Sequence, residues 1–216
     1  MLTVYPAGVP APLIYIDNLT HTGANTSSLT ITYPSNISAG DLIVCFISTD
    51  KANTPSFPAH TPSWTVLNST LSGTSQQLDT AYVVADGTET GTFVVSVTSG
   101  NHGAICFVVK NWSKNTANIE VNTSTASSVT VDPPSISPAW GAKTALIVSC
   151  GAHRRGNIAS LTYSYSENQT NDFTRTSAAI ALSSTVVSSS SVDPPSFVMA
   201  TNSDRNVGAT LAIKGL

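Results

Sequence analysis

The chain has 216 residues and a mass of 22.4 kDa, enough for one large β-sandwich with a sizeable core. Charged residues make up only 10% of it, against about 25% in an average soluble domain, so its polar surface is hydroxyl and amide rather than ionic. Nine Lys plus Arg, a net charge of −3 and a pI near 5.7 leave no basic stripe to neutralise a run of phosphates, and nucleic acid is not an expected partner.

Residues 1–12 read as an extended arm, because Pro6, Pro10 and Pro12 favour polyproline-like backbone and supply no amide donors. With Tyr5 they form the first candidate partner-binding segment, an arm laid on a neighbour. The start lacks the basic region of a signal peptide, and no apolar run approaches the roughly 18 residues of a membrane span, so the expectation is a chain that neither enters a membrane nor is secreted.

From residue 13 to 216 the chain reads as a single sandwich domain, a succession of short β-type runs. Expected strands cover 13–17, 28–33, 41–49, 64–67, 79–85, 92–98, 103–110, 117–123, 127–131, 143–150, 158–165, 177–188, 196–200 and 207–214. Turn signals separate them, among them Ala39-Gly40, Asp86-Gly87, Ser99-Gly100-Asn101, Pro133-Pro134 and Pro194-Pro195. Leu29-Thr30-Ile31-Thr32-Tyr33 and Ser128-Val129-Thr130-Val131 alternate apolar with hydroxyl, which suits strands with one wet face. Leu42 to Ile47, Ile105 to Val109 and Ala145 to Val148 are apolar on both sides, as central strands covered by loops or a partner chain would be. The fold class is all-β: a two-sheet antiparallel sandwich, jelly-roll or lectin-like, of about 12–14 strands. Val-Asp-Pro-Pro-Ser occurs twice, at 131–135 and 192–196, and reads as two similar turns that blunt sheet edges rather than as a duplication.

Signatures of catalysis are missing. There is no G-x-S-x-G elbow, and His21, His60, His102 and His153 sit in contexts that suggest solvated loops. Glu120 and Glu167 are carboxylates of the kind a glycosidase needs, but nothing in the sequence brings them within about 10 Å. Asp86-Gly87-Thr88-Glu89 lacks the further oxygen ligands of a calcium loop and reads as an Asp-Gly hairpin turn. Cys45, Cys106 and Cys150 lie in apolar runs, an odd count that suits buried thiols in a reducing cytoplasm rather than a disulfide framework or a zinc site. No enzyme activity, cofactor or metal is expected.

Candidate binding residues remain. Trp64 and Trp112 border apolar runs and are expected on the core, whereas Trp140 follows Pro138-Ala139 in a loop and is expected to be exposed, as a sugar platform would be. Tyr163 and Tyr165 alternate onto one face, and Arg154 and Arg155 form with His153 the one basic cluster.

Four stretches look familiar as a set: Ser38-Ala39-Gly40-Asp41-Leu42-Ile43-Val44, Pro62-Ser63-Trp64-Thr65-Val66-Leu67, Ala81 through Phe93, and Ala104-Ile105-Cys106-Phe107. Together they resemble the β-sandwich virion-surface proteins of tailed bacteriophages, capsid decoration (cement) proteins and tail adhesion domains, over roughly residues 36 to 110. The resemblance implies a virion protein assembled in the bacterial host cytoplasm, a homo-oligomer, by family likeness a trimer, that binds the major capsid protein. A receptor-binding or carbohydrate-binding module of the tail, with a host surface glycan as partner, is the alternative.

Overall fold

The structure is a computed structural model that describes residues 14–154, 169–171, 179–198 and 204–216. Tyr5, Pro6, Pro10, Pro12, Arg155, Tyr163 and Tyr165, together with the expected strand at 158–165, lie outside the described residues. The described residues form twelve strands and one short 3-10 turn, Thr116–Asn118, all paired antiparallel, in two five-stranded sheets and one two-stranded ribbon.

The first sheet uses β1 (Tyr15–Thr32), β2 (Leu42–Thr49), β3 (Thr65–Ser72), β4 (Gln76–Val84) and β5 (Thr92–Lys110), in the order β1-β5-β2-β4-β3. The second uses β6 (Ile119–Ser128), β8 (Thr144–His153), β9 (Gln169–Asn171), β10 (Ala179–Ser188) and β12 (Asp204–Lys214), in the order β6-β12-β8-β10-β9. The ribbon pairs β7 (Thr130–Val131) with β11 (Phe197–Val198). Taken in chain order, the two sheets have one topology, each built by one half of the chain. The registers agree as well: Ile43 lies between Val108 and Val83, and Ile147 between Ala212 and Thr185. This places Leu42-Ile43-Val44 in register with Leu146-Ile147-Val148, two identical tripeptides on the two central strands. The chain is thus an internal structural repeat.

The halves clasp face to face. β3 lies against β6, β4 against β12 and β5 against β10, so the strand order of one sheet is reversed over the other, as a local two-fold between β2 and β8 requires. Alternate residues of β2 (Leu42, Val44, Phe46) and of β8 (Leu146, Val148, Cys150) point into one shared core with Phe107, Leu211 and Ile213. Trp112 closes its end: the ring is 1% exposed, its Nε1–H donates to Gly40 O at 3.0 Å, and its backbone pairs with Gly215 beyond β12.

The outer faces are apolar too, and each half covers its own. β1 and β5 run past β2 as a two-stranded ribbon that bends back over the first sheet. The bend falls at the register shift between Thr26 and Ser28. Beyond it burial alternates, with Phe93, Val95 and Val97 turned onto Ile43, Cys45 and Ile47, whereas Ala104 to Val109 are buried without a break. The expected turn at Ser99-Gly100-Asn101 is therefore a bend within one long strand. A Cβ on Gly100 would collide with the Asp50 carboxylate, which accepts from Asn101 N at 3.1 Å and Asn101 Nδ2 at 2.9 Å. In the second half the same cover is the β7/β11 ribbon, in which β7 follows β6 after Val129 alone and β11 precedes β12.

Here the two Val-Asp-Pro-Pro-Ser copies meet. Val131 pairs with Phe197 and Val192 with Ile136, so each copy is the antiparallel partner of the other. Their prolines leave the middle of the ribbon without ladder donors, and Ser196 Oγ spans it to Asp132 at 2.6 Å. The ribbon lies on β12, where a Cβ on Gly208 would come within 2.7 Å of Asp132 O. The copies thus serve as a lid on a sheet face and not as blunted sheet edges.

Candidate functional site

Residues 50–64, between β2 and β3, cross the outer face of the first sheet as a strap. Antiparallel β2 leaves the chain at the end of the sheet where Thr49 opposes Gln77, and β3 re-enters at the opposite end, beside Tyr82. The connection must therefore span the sheet. Past Asp50 and Lys51, which bond Asn101 and Ser99 of β5, it is tied at three further places.

The first tie is buried and polar. Asp79 on β4 is fully buried and accepts from Ser69 Oγ at 2.5 Å, Gln77 Nε2 at 2.7 Å and strap residue Asn53 Nδ2 at 3.3 Å. Burial pushes its carboxyl above the usual carboxylate range, and the three donors oppose that shift. The second tie is a single β-bridge, Ser56 to Ser96, with both amide bonds at 3.0 Å.

The third tie joins the strap to the turn after β4. His60 Nδ1 lies 2.8 Å from Pro62 O, a group that only accepts, so this nitrogen carries hydrogen, and Nε2 lies 2.8 Å from Glu89 Oε1. Glu89, whose side chain is 1% exposed, also accepts from Asp86 N at 2.8 Å and Gly87 N at 2.9 Å. Asp86 Oδ1 is taken by Thr88 N and Oγ1, bonds that hold its carboxyl below the usual range. Ligand atoms of His60, Asp86 and Glu89 lie within 4.8 Å of one another, a spacing that would admit a metal ion. The hydrogen bonds already made by these atoms account for the cluster as a lock on the turn. That turn is no hairpin: it carries the chain from β4 over β2 to β5.

Between the ties the strap presents aromatic rings. Phe57 stacks on Trp64 with centroids 4.7 Å apart, Trp64 on Phe93 at 5.3 Å, and Phe93 tilts on Tyr33 at 4.6 Å. Tyr33 lies deep enough, and near enough to Glu89, for its phenol to be pushed up to about 12. Beside this row is an open groove of about 410 Å³ lined by Phe57, Pro58, His60, Ser63, Trp64 and Val66. Val66, an edge-strand residue, is 43% exposed along it. Phe57 and Trp64 both line the groove, and Trp64 is stacked upon by both Phe57 and Phe93.

The structure redistributes the sequence candidates. Trp112 is in the core as expected, and Trp64 packs on the outer-face cluster. Trp140, expected to be exposed, is half-buried on Ile136, Ala145, Ile147 and Val192, because its loop folds onto the second sheet's outer face under the same need for cover. Arg154 is half-exposed, its Nη1 3.7 Å from Asp204. His102 and His153, read as loop residues, are fully buried in strands, with Nε2 donating to Thr26 O and Ser128 O respectively, each at 2.9 Å. Burial lowers the tendency of His102 to take a second proton. Glu120 is engaged by Ala139 N at 3.0 Å. Sequence reading missed the groove. Its one visible signal was the density of Pro55, Pro58 and Pro62 around Phe57 and Trp64 between two strand-like runs. Compared with protein-family models, curated proteins and solved structures, the chain matches none.

Proposed function

We propose that the chain is a non-catalytic structural protein of a bacteriophage virion, a capsid decoration (cement) protein that binds the major capsid protein and stabilises the head. The observation that carries the reading is the closed double clasp: two sheets share one core, and each half covers its own outer face. What such a plate offers a neighbour is a hydroxyl-rich, nearly uncharged surface and one aromatic recess, a build suited to packing among proteins. The resemblance of residues 36–110 to virion-surface sandwiches points the same way, and the three cysteines, free and buried, suit assembly in the host cytoplasm. Immunogold labelling of particles tests this directly. Gold on heads is the expected result, and labelled tails with bare heads would end the reading.

The groove favours a second reading, a glycan-binding module of the tail, because Phe57 offers a ring face beside Ser63. That reading requires a signal on an array of host polysaccharides that disappears in Phe57→Ala. Trp140→Ala, at a packed position, is not the informative variant.

A further inference from the structure

We propose that the groove beside Trp64 receives the proline-rich stretch Tyr5–Pro12 of a second copy of this chain, so that neighbouring copies are joined by exchanged arms. The inference rests on the assembly reading above and names the partner of its recess. Phe57, Pro58, Trp64 and Val66 give the groove apolar walls, and Ser56 and Ser63 add polar surface beside them. Both ring nitrogens of His60 are engaged, one by Pro62 O and the other by Glu89, so the imidazole's polarity is turned away from the groove. The ligand this mixed lining selects is neutral and extended, with apolar side chains and free backbone carbonyls to meet the hydroxyls. Aromatic-lined grooves take polyproline segments for that reason: such a backbone is already extended and loses little conformational freedom on docking. Tyr5-Pro6-Ala7-Gly8-Val9-Pro10-Ala11-Pro12 has three prolines and no charged side chain.

Distance assigns the arm to another copy. Ile14 is buried in the core between the sheets, at the head of β1, one edge strand of the first sheet. The groove lies on the outer face at β3, the other edge strand. Four inter-strand steps separate the edges, about 19 Å at roughly 4.8 Å each. However the chain is drawn, the nine steps from Tyr5 to Ile14 reach at most about 32 Å, and the two from Pro12 at most about 7 Å. Passing around the sheet to its outer face would consume that length and leave none to lie in the chain's own groove.

The test compares the full chain, the chain lacking residues 1–12, Phe57→Ala and Val66→Asp by native mass spectrometry and light scattering. Val66 is an exposed edge residue, so its variant keeps the test valid should Phe57→Ala fold poorly. The full chain should self-associate, and each of the three alterations should weaken association at least about tenfold, as loss of a central anchor does. Val198→Ser, at an exposed valine of the other half, should leave association unchanged. A synthetic peptide of residues 1–12 should bind the truncated chain and not its Phe57→Ala form. A monomeric full chain, association indifferent to both truncation and groove variants, or a neutral glycan that binds full and truncated chains equally through Phe57 would each overturn the proposal. Binding to purified shells, measured on the full chain and on the association-deficient variants, keeps the two readings apart: shell binding retained by the variants leaves decoration standing, and a full chain that self-associates without binding shells counts against decoration alone.

Discussion

The two halves of the molecule solve one problem differently. Each must cover the outer face of a sheet whose central strand is apolar on both sides. The first half bends the long continuous strands β1 and β5 over that face and adds the aromatic strap. The second uses the β7/β11 ribbon, held by paired Val-Asp-Pro-Pro-Ser segments. Beneath the covers, the registers match positions one by one. Cys45 and Cys106 oppose each other under the β1/β5 ribbon, and at the matching positions Ser149 and Thr210 oppose each other under the β7/β11 ribbon. The position demands a small buried residue and tolerates a thiol or a hydroxyl. The two halves therefore bury the same faces and fill them with different chemistry.

The largest test of this account is volume. Phe46 and Cys150 occupy matching positions on the central strands and line one core cluster. Phe46→Cys, which makes the first half resemble the second, should cost about 3 kcal/mol in urea unfolding through the cavity it leaves. Cys150→Phe should cost about 1–3 kcal/mol by overpacking. The double exchange should cost less than the two together, since a single core holds both side chains. Strict additivity would show that the halves do not share volume.

A smaller effect separates the halves at Asp79, whose counterpart is Ala181. Asp79→Ala strands the donors of Ser69, Gln77 and Asn53 and should cost about 1–3 kcal/mol. Its pH dependence has a definite sign. The folded state holds the carboxyl's proton more tightly than the unfolded chain does, so stability falls as pH rises from the ordinary 3.8 through the raised folded value. Thermal melts of the native chain should accordingly gain on those of Asp79→Asn as pH is lowered from 7 toward 4. Parallel curves would show that Asp79 is ionised throughout without penalty.

The layering was legible before the topology. Uninterrupted apolar runs at 42–47 and 145–148 marked the two central strands, and the alternation at 29–33 marked a strand with one wet face, because burial on two sides or one leaves its own period. The middle of β1 was not legible: Leu19 is its one large apolar residue between Ile16 and Leu29, and its ladder to β5 depends on backbone bonds that any sequence can make. The repeat was hidden for a related reason. The sharpest sequence echo, Val-Asp-Pro-Pro-Ser, lies within one half, and the echo that relates the halves is the commonplace Leu-Ile-Val. His60 and Glu89 are 29 residues apart, and only the strap's path across the sheet brings them together.

The finest contrast lies at the bend of each cover. His102 opposes Ala24 and bonds Thr26 O two residues on. Asn206 opposes Ala126 and bonds Ser128 O at 3.1 Å and Thr130 O at 3.0 Å. Imidazole and carboxamide thus do the same work, tying a strand to the carbonyl where its neighbour turns. The imidazole leaves a cost behind, since burial disfavours the imidazolium more than the carbonyls of Thr26 and Thr98 favour it. The unfolded chain therefore binds the proton more readily, and native stability must decline as pH falls through the ordinary imidazole value of 6.5. His102→Asn keeps a side-chain N–H for Thr26 O and removes the titrating group. It should change stability by less than about 1 kcal/mol at pH 8, the worth of one ordinary hydrogen bond, and should unfold at a higher temperature than the native chain at pH 5. A variant that lost several kcal/mol at pH 8 would show that the imidazole fills space an asparagine cannot, and that the two bends are alike in bonding but not in packing.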